Sequence, residues 1–226
     1  MLIIQAKLPT KNLPIRRVLS KLFQSFVYTH LEDKEHEGYK HQNGKRFKAM
    51  NFKIAYIKDE ILIKYVALDK DNEKIIAKEI LQNGLKLGEI HISSVEISLQ
   101  NRHQTSFEKI KVGGFVVAAI KDGKSSKKIY LEPKSHKFQE ILYNNTLQKY
   151  EALFAKPYGG ELKITVINQK PRERLFFYNK GAIKAWYGVY EIEAENDMLD
   201  MILDTGLGAN AMQGVGFVEM IEEKKS

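Results

Sequence analysis

Two histidines, His36 and His41, lie in a polar segment that covers residues 33–46 and shows no hydrophobic periodicity. An unperturbed histidine has a pKa near ~6.5, so it can accept or donate a proton at neutral pH. The acidic residues of the same segment offer a metal site as the alternative. Two histidines five residues apart in a loop do not, however, have a recognised ligand spacing. The segment therefore favours acid–base chemistry over metal binding.

One chemistry that such a histidine suits is the cleavage of an RNA strand. RNA carries its own nucleophile, the 2′-hydroxyl, so cleavage needs a base for that proton, an acid for the leaving 5′-oxygen and cations for the phosphorane. A metal is not required in principle. The sequence contains no Gly-x-Ser-x-Gly elbow, no His-Glu-x-x-His helix and no clustered pair of aspartates. Their absence weakens the hydrolase, metalloprotease and two-metal nuclease alternatives.

A glycine-rich segment near the end of the chain, residues 206–217, is the second candidate site. It holds two glycine pairs, Gly206 with Gly208 and Gly214 with Gly216. Because glycine accepts positive φ and lets another backbone come close, these pairs predict an unusual loop path that can point N–H groups at phosphates. Asn210 and Gln213, between the pairs, are expected to add side-chain contacts. The alternative is a structural turn that only seats the final strand.

The elements around this segment run in the order helix, glycines, Phe217, strand. Nucleotide-binding motifs run in the opposite order, and the Walker Lys-Ser/Thr pair is missing, so both motifs are rejected. The observed order resembles the CRISPR-associated RAMP superfamily and, within it, the repeat-processing endoribonuclease branch, the "Cas six" family. Residues 174–192 resemble the hairpin before that family's last helix. The resemblance covers roughly the last quarter of the chain and is one of element order before Gly160. Residues 209–213 lack the Lys or Arg that family loops often carry.

The resemblance also implies roles for individual residues. Family members typically place a catalytic histidine in the loop after the first helix, a few residues before a lysine that leads into the next strand. His36 fits this arrangement with an extended spacer, which makes it the general base or acid. Lys48 or Lys45 is then the phosphate stabiliser, and Tyr28 can assist from the end of the helix. His41 stays open as a competitor for the catalytic role.

The function that the resemblance implies is a metal-independent endoribonuclease that cuts CRISPR repeat RNA (pre-crRNA) to crRNA. The 2′-hydroxyl is the nucleophile, the products are a 2′,3′-cyclic phosphate and a 5′-hydroxyl, and no cofactor is expected. The alternative is a non-catalytic RNA-binding subunit of a CRISPR effector complex. The histidine segment favours the enzyme, whereas the absence of a basic residue from the glycine loop favours the binder. Effector-complex subunits and a second copy of the chain, in a homodimer, are the further partners left open.

The net charge of +8 and the pI near 9.3 agree with a polyanionic partner. A lysine-rich composition can also reflect an AT-rich genome, so placement says more than total charge. RNA-backbone contacts are predicted on the polar face of the first helix, before the first hairpin and in two turn-like segments, at Arg17, Lys21, Lys45, Arg46, Lys127, Lys128, Arg172 and Arg174. A solvated surface is the alternative for each of them.

Other classes of protein are disfavoured by composition. The chain has no cysteine, which excludes a disulfide framework and a thiolate metal site. No apolar run approaches the length of a membrane span, and the N-terminus lacks the basic-then-apolar pattern of a signal peptide. A cytoplasmic location without membrane contact is the default expectation.

The elements that must position these residues predict an α+β fold of two tandem ferredoxin-like domains, each with the order βαββαβ. The predicted domains are residues 1–100 and 109–226, joined by a linker at 101–108. In the first half, periodicity predicts strands at 2–8, 47–57, 61–68 and 87–99, and helices at 15–27 and 75–81. In the second half it predicts strands at 111–120, 127–131, 162–167, 175–178, 182–192 and 215–221, with helices at 135–154 and from Asn196 onward. Helix ends are predicted as well. Asp69 and Asp71 offer N-caps for the helix at 75–81, Gly84 lies just past its C-terminus, and Asn196 is the expected cap of the last helix.

Overall fold

The computed structural model describes residues 1–8, 13–57, 59–101, 108–123, 127–168, 170–179 and 181–221. Residues 102–107 of the predicted linker lie outside the described residues, as do residues 124–126 of the basic turn that contains Lys127 and Lys128. The predicted domain boundaries therefore stay a prediction.

Helices and strands are both distributed over the described part of the chain. Its helices are α1 (Leu13–His30), α2 (Asp33–Glu37), α3 (Lys70–Asn83), α4 (His136–Phe154) and α5 (Asn196–Thr205). Its strands are β1 (Leu2–Lys7), β2 (Tyr39–Lys40), β3 (Arg46–Phe47), β4 (Met50–Ile57), β5 (Glu60–Ala67), β6 (Leu85–Leu87), β7 (Ile90–Ile92), β8 (Val95–Leu99), β9 (Lys109–Val116), β10 (Ala119–Lys121), β11 (Lys128–Tyr130), β12 (Lys163–Val166), β13 (Arg172–Tyr178), β14 (Gly181–Glu193) and β15 (Val218–Met220). Within the described part of the chain, no helix is long and apolar enough to cross a membrane.

The first half of the chain folds into a four-stranded antiparallel sheet with the strand order β4-β5-β1-β8. In chain order its elements are β1, α1, β4, β5, α3 and β8, so the outer strand β4 is the second and β8 the fourth. This is the ferredoxin-like arrangement. Leu2, Ile4 and Ala6 alternate along β1 toward the core, where they meet Leu19 and Phe23 of α1. The predicted βαββαβ unit is confirmed.

The second half repeats this topology around a longer central strand. Its sheet has the order β12-β14-β9-β15, and the chain order is β9, α4, β12, β14, α5 and β15. Strand β14 has 13 residues, so one of its edges pairs first with β13 and then with β12. Its other edge pairs with β9 through residues 186–193. The α+β class with two ferredoxin-like units is therefore confirmed.

The main difference from the sequence-based prediction lies in residues 33–46, which were expected to form a loop. They form the short helix α2 and the two-stranded β2–β3 ladder. The N–H of Gly38 donates to the carbonyl of Lys34 at the end of α2, and the buried Glu35 accepts a hydrogen bond from the Tyr39 hydroxyl at 2.7 Å. Hydrogen bonds, rather than a periodic apolar face, stabilise this segment. Its secondary structure therefore could not be predicted from hydrophobic periodicity.

Some of the predicted helix ends and strand limits agree with the structure, and others do not. Asp69 accepts from the N–H of Asp71 at 2.9 Å, and Gly84 follows α3, so both predicted ends of that helix are confirmed. Asn196 is the first residue of α5 rather than its N-cap, which is Glu195. The range 87–99, predicted as one strand, instead contains the end of β6 and the separate strands β7 and β8. Gly88, which has a positive φ of 63°, forms the turn between β6 and β7. Strand β13 begins three residues earlier than predicted, at Arg172.

The glycine loop, residues 206–217, connects α5 to β15 and lies between the hydrophobic cores. All four of its glycines have positive φ, as predicted. Leu207 belongs to the core of the second unit, Met212 to the core of the first unit, and Val215 to a third cluster with Val117 and Ile183. Hydrogen bonds from the N–H of Leu207 to the carbonyl of Gly216, and from the N–H of Gly216 to the carbonyl of Phe115, close the loop onto itself and onto β9.

We expect Gly206→Ala to lower the free energy of unfolding by about 3 kcal/mol or more, measured by urea denaturation. Gly206 has φ 78° and ψ −179°, a backbone conformation that is almost restricted to glycine. A Cβ there would also overlap the Asn51 side chain and the carbonyl of Gly216. Gly159→Ala is the control, because this exposed glycine has no atom within 4 Å of the added Cβ. Equal stability of the two variants would contradict the assignment.

Candidate active site

Three of the predicted catalytic residues, Tyr28, His36 and Lys48, lie side by side. The rings of Tyr28 and His36 have centroids 4.8 Å apart and an interplanar angle of 33°. The Lys48 ammonium lies 4.9 Å from the centroid of the Tyr28 ring and donates a hydrogen bond to the backbone carbonyl of His36. His36 is exposed, whereas Tyr28 and Lys48 are partly buried. The cluster thus presents an accessible imidazole next to a cation and a phenol.

The local sequence explains how these residues meet. Tyr28 lies in the last turn of α1, and α2, which carries His36, begins three residues after α1 ends. Gly38 follows α2 with a φ of 80°, and a Cβ at this position would lie 2.6 Å from the carbonyl oxygen of Phe47. A glycine is therefore needed for β3 to return against α2. That return places Lys48, the residue after β3, under His36.

A buried carboxylate, Glu35, lies beneath this cluster. It is 8% exposed, and its Oε2 atom has no hydrogen-bond partner among the described residues. Burial lowers the pKa of Lys48, and the negative charge of Glu35 acts in the opposite direction. The Nζ atom of Lys48 also lies 3.4 Å from the backbone carbonyl oxygen of Glu35. Glu35 therefore favours the charged form of the lysine in a site that partly removes it from water.

Tyr28 is a hydrogen-bond donor without a described acceptor. Burial is the main cause that raises the pKa of Tyr28 well above its ordinary value. The hydroxyl remains protonated at neutral pH as a result. No acceptor for its proton is found among the described residues, since the Oε1 atom of the neighbouring Gln24 accepts from Tyr178 instead. The phenol therefore keeps a proton that it can donate, and its oxygen is shielded from solvent in this structure.

His41, the competing histidine, occupies a different environment. It is 7% exposed, its Nε2 atom lies 3.2 Å from the carboxylate of Glu151 on α4, and its Nδ1 atom accepts from the N–H of Asn43 at 3.2 Å. Both ring nitrogens are thus engaged within the protein, and the ring ties the β2–β3 segment to α4. No group of three or more His, Cys, Asp or Glu side chains in the described ranges could hold a metal ion.

A cavity of about 440 Å³ opens beside Lys48, under the glycine loop. Its described lining includes five cationic side chains and no acidic one. The lining cations are Lys45, Arg46, Lys48, Lys128 and Lys149, and residues 208–213 of the glycine loop form the wall above them. The predicted RNA contacts Gly208, Asn210 and Gln213 therefore lie at this cavity, together with four of the predicted basic residues. Such a lining suits a polyanion.

The glycine loop forms this wall with a backbone that is largely committed to the protein. The N–H groups of Gly206, Leu207, Ala209, Gln213 and Gly216 all donate to backbone carbonyls. The side chains of Asn210 and Gln213 bond to each other. One role of the loop is therefore to position the final strand, as the structural alternative expects. A contact between the loop and an anion would have to come from the remaining N–H groups or from rearranged side chains.

A protein-family model matches just over half of the chain. A family model described as "CRISPR associated protein Cas6, C-terminal" matches residues 100–220, a range that contains the glycine loop. The chain belongs to the Cas6 family. No curated protein sequence matches the chain.

Solved structures share the fold of this Cas6-family chain along nearly its full length. A structure described as a Cas6-related gene product from Pyrococcus furiosus is 17% identical, with a TM-score of 0.73 and 99% of each chain covered. A RAMP protein described as binding different RNA substrates is 14% identical, with a TM-score of 0.71, 98% of this chain covered and 100% of that one. A Cas6 product complex is 14% identical, with a TM-score of 0.66, 97% of this chain covered and 98% of that one.

Several predicted RNA contacts of the Cas6-family chain lie away from the cavity. Arg17 lies 5.2 Å from the centroid of the Phe177 ring, and Lys21 donates to the side chain of Asn179 at 3.4 Å, so both face the β13–β14 hairpin.

Arg172 and Arg174 lie on β13 over aromatic rings. Arg174 lines a second cavity of about 590 Å³, which Gly214 also lines. The glycine loop therefore lies between two cavities. Lys127 is exposed just before β11, and Gly216 is buried in the loop.

Two residues of the cavity, Asn145 and Lys149, were not predicted from the sequence. Both lie on α4, four residues apart. Lys149 is 2% exposed and donates hydrogen bonds to the backbone carbonyls of Thr205 at 3.3 Å and Gly206 at 2.6 Å, at the C-terminus of α5. The signal was its position seven residues after the buried Leu142, which predicts the same face of the helix.

We expect Lys149 to make stability rise with pH. Burial lowers the pKa of Lys149 from its ordinary value near 10.5 to about 7. Between these values the unfolded chain binds more protons than the folded chain, so the free energy of unfolding increases as pH rises. From pH ~7.5 to ~9.5 the contribution is about 2 kcal/mol. Urea denaturation of wild type and Lys149→Met at both pH values measures it, and the variant should show the smaller increase.

Lys45→Met is the matched control for this measurement, because Lys45 lines the same cavity but is exposed. It should retain the pH dependence of the wild type. An identical pH dependence in wild type and Lys149→Met would show that Lys149 does not titrate in this range.

Proposed function

We propose that this protein is a metal-independent endoribonuclease that cuts CRISPR repeat RNA to crRNA. The observation that carries the proposal is the cluster of Tyr28, His36 and Lys48 at the edge of a cavity lined by five cations. Membership of the Cas6 family supports it, as does the shared fold with a Cas6 product complex and with CRISPR endoribonuclease Cse3 bound to RNA. The RNA would lie with its scissile phosphate at Lys48 and its adjoining nucleotides in the cavity.

In the proposed reaction, the 2′-oxygen attacks the adjacent phosphorus and the bond from phosphorus to the 5′-oxygen breaks. The exposed ring of His36 takes the proton from the 2′-hydroxyl or gives a proton to the leaving 5′-oxygen, and solvent water exchanges the other proton. The Lys48 ammonium stabilises the negative charge of the phosphorane. The Tyr28 hydroxyl, which is protonated and has no described partner, donates to the same phosphate. The products are a 2′,3′-cyclic phosphate and a 5′-hydroxyl.

A second candidate function is a non-catalytic RNA-binding subunit of a CRISPR effector complex. One observation favours it: the glycine loop has no basic residue, and five of its N–H groups are used within the protein. A RAMP protein with the same fold is described as binding different RNA substrates. The exposed imidazole next to Lys48 favours the enzyme, because a binding surface has no need of a group that transfers protons at neutral pH.

The proposal predicts that the purified protein cuts its repeat RNA in excess EDTA. The RNA supplies the nucleophile, and the side chains at the cluster supply the proton transfer and the positive charge. A 2′-deoxy substitution immediately 5′ of the scissile phosphate should abolish cutting and leave binding intact, which gel electrophoresis and a filter-binding assay measure. Loss of cutting on chelation with recovery on magnesium addition would overturn metal independence, and cutting of the deoxy substrate would point to a water nucleophile.

The histidine assignment predicts a division between chemistry and affinity. His36→Ala should slow single-turnover cleavage by roughly 10²–10⁴-fold, because one positioned acid–base group is worth about that factor. RNA affinity should stay within a few fold of the wild type. Lys48→Ala should lower both the rate and the affinity, since its ammonium contacts phosphate.

His41→Asn is the matched control, because an amide can retain one hydrogen bond of the engaged ring without transferring protons. It should cleave at close to the wild-type rate. If His41→Asn is slow and His36→Ala cuts normally, the assignment of His36 is wrong. If both cut normally and wild type exceeds a control without protein, positioning and charge alone carry the reaction. If wild type does not exceed that control, the binding subunit is the correct function.

A further inference from the structure

Asn145 holds a buried acceptor atom that no described group satisfies. Its side chain lies on α4 in the lining of the 440 Å³ cavity, and its Oδ1 atom is shielded from solvent without a hydrogen-bond partner. Leaving a buried carbonyl oxygen without a donor is unfavourable, and native structures rarely do so without a functional reason. A donor that arrives with a ligand would satisfy this atom.

The polar groups around Asn145 already have partners within the protein. Lys149, one turn further along α4, donates to the carbonyls of Thr205 and Gly206. Lys45 donates to Gln148 at 2.9 Å. Asn210 and Gln213, on the opposite wall, bond to each other. Their bonds close the cavity wall, whereas the Oδ1 atom of Asn145 has no donor among the described residues, and a rotation of this side chain would bring the atom to an entering base.

The cavity has the size and chemistry of a site for one nucleotide. Its volume of about 440 Å³ lies within the range of about 300–1,000 Å³ that is typical of small-molecule pockets. Cations suited to phosphate contribute to its lining, and Phe47, Ile141 and Met212 add apolar surface suited to the face of a base. Lys48 belongs both to this lining and to the cluster with His36. A nucleotide in the cavity would consequently adjoin the scissile phosphate.

We propose that Asn145 determines specificity by accepting a hydrogen bond from the exocyclic amine of one unpaired base next to the scissile phosphate. The inference rests on the proposed function and adds the identity of the group that is read. Adenine, cytosine and guanine carry such an amine, whereas uracil does not. An asparagine amide is well suited to this recognition, because it can pair with the edge of a base that is not engaged in a duplex.

The test uses the full-length protein and its own repeat RNA. In a set of RNAs, each adenosine, cytidine or guanosine near the cleavage site is replaced in turn by purine riboside, 2-pyrimidinone riboside or inosine, which lack the exocyclic amine. Equilibrium binding at fixed salt and single-turnover cleavage are measured for wild type, Asn145→Leu and Asn145→Asp. Asn144→Leu is the control, because Asn144 is the exposed neighbour of Asn145 on the same helix.

At one position, removal of the amine should weaken binding to the wild type about tenfold. Asn145→Leu, which is nearly isosteric, should bind the unmodified RNA about tenfold more weakly and should show no further loss with that analogue. Asn145→Asp keeps an acceptor, so it should still distinguish the analogue from the unmodified RNA despite a weaker affinity. Asn144→Leu should behave as the wild type. Thermal melting of each variant identifies any that is not folded.

Three results would overturn the inference. Asn145→Leu could bind every RNA as the wild type does, which would mean that a water molecule alone satisfies the amide. The loss on amine removal could be the same in wild type and in Asn145→Leu at every position. The coupling could appear only with 2′-deoxy substitutions, which would make the ribose hydroxyl the donor. If the wild type binds and cuts the repeat but shows no coupling, only this inference fails; if it neither binds nor cuts, the proposed function fails with it.

Discussion

The backbone path of the glycine loop is the constraint on which the rest of the structure depends. Its residues enter three hydrophobic clusters, through Leu207, Met212 and Val215, so the loop is packed into both ferredoxin-like units at once. That path requires positive φ at four glycines, and at Gly206 a side chain would overlap Asn51 of the first unit. The same path forms one wall of the candidate nucleotide cavity. One segment thus connects the hydrophobic clusters and also forms the cavity wall. Because the loop must keep this path, most of its N–H groups bond to carbonyls of the protein.

The C-terminus of α5, where this loop begins, is held from both units. The carbonyl of Thr205 accepts from Lys149 of the second unit and, at 3.4 Å, from Asn51 of the first. A cation at a helix C-terminus complements the helix dipole, although Lys149 has no carboxylate partner in the described part of the chain and its burial is unfavourable for the charged form. The arrangement places an amine with a pKa of about 7 under the glycine loop, and no acidic group among the described residues pairs with it. The electrostatics of the cavity therefore depend on the same residue that anchors the loop.

The candidate catalytic cluster, by contrast, is built by an insertion between α1 and β4. Helix α2 and the β2–β3 ladder bring His36 and Lys48 against Tyr28, and Gly38 allows the tight return between them. The insertion is tied to α4 by the contact between His41 and Glu151 and by that between Lys45 and Gln148. The two histidines of one polar segment thereby acquire different roles, since one contributes to the connection and the other is exposed beside a cation. We regard this connection as the means by which the cluster is positioned at the cavity.

Four features could be predicted from the residues alone. They are the order of the elements in the two βαββαβ units, the ends of α3 at Asp69 and Gly84, the positive φ of the glycine pairs, and the group of residues able to transfer protons or bind phosphate. These features are local, because periodicity, capping and backbone conformation depend on neighbours a few residues away. The tertiary structure alone decided that His41 is buried while His36 is exposed, that Lys149 is a buried amine and that the Oδ1 atom of Asn145 has no partner among the described residues. Those properties arise from contacts such as that between His41 and Glu151, which are 110 positions apart. No local pattern records such a contact, since it exists only when the two units have packed together.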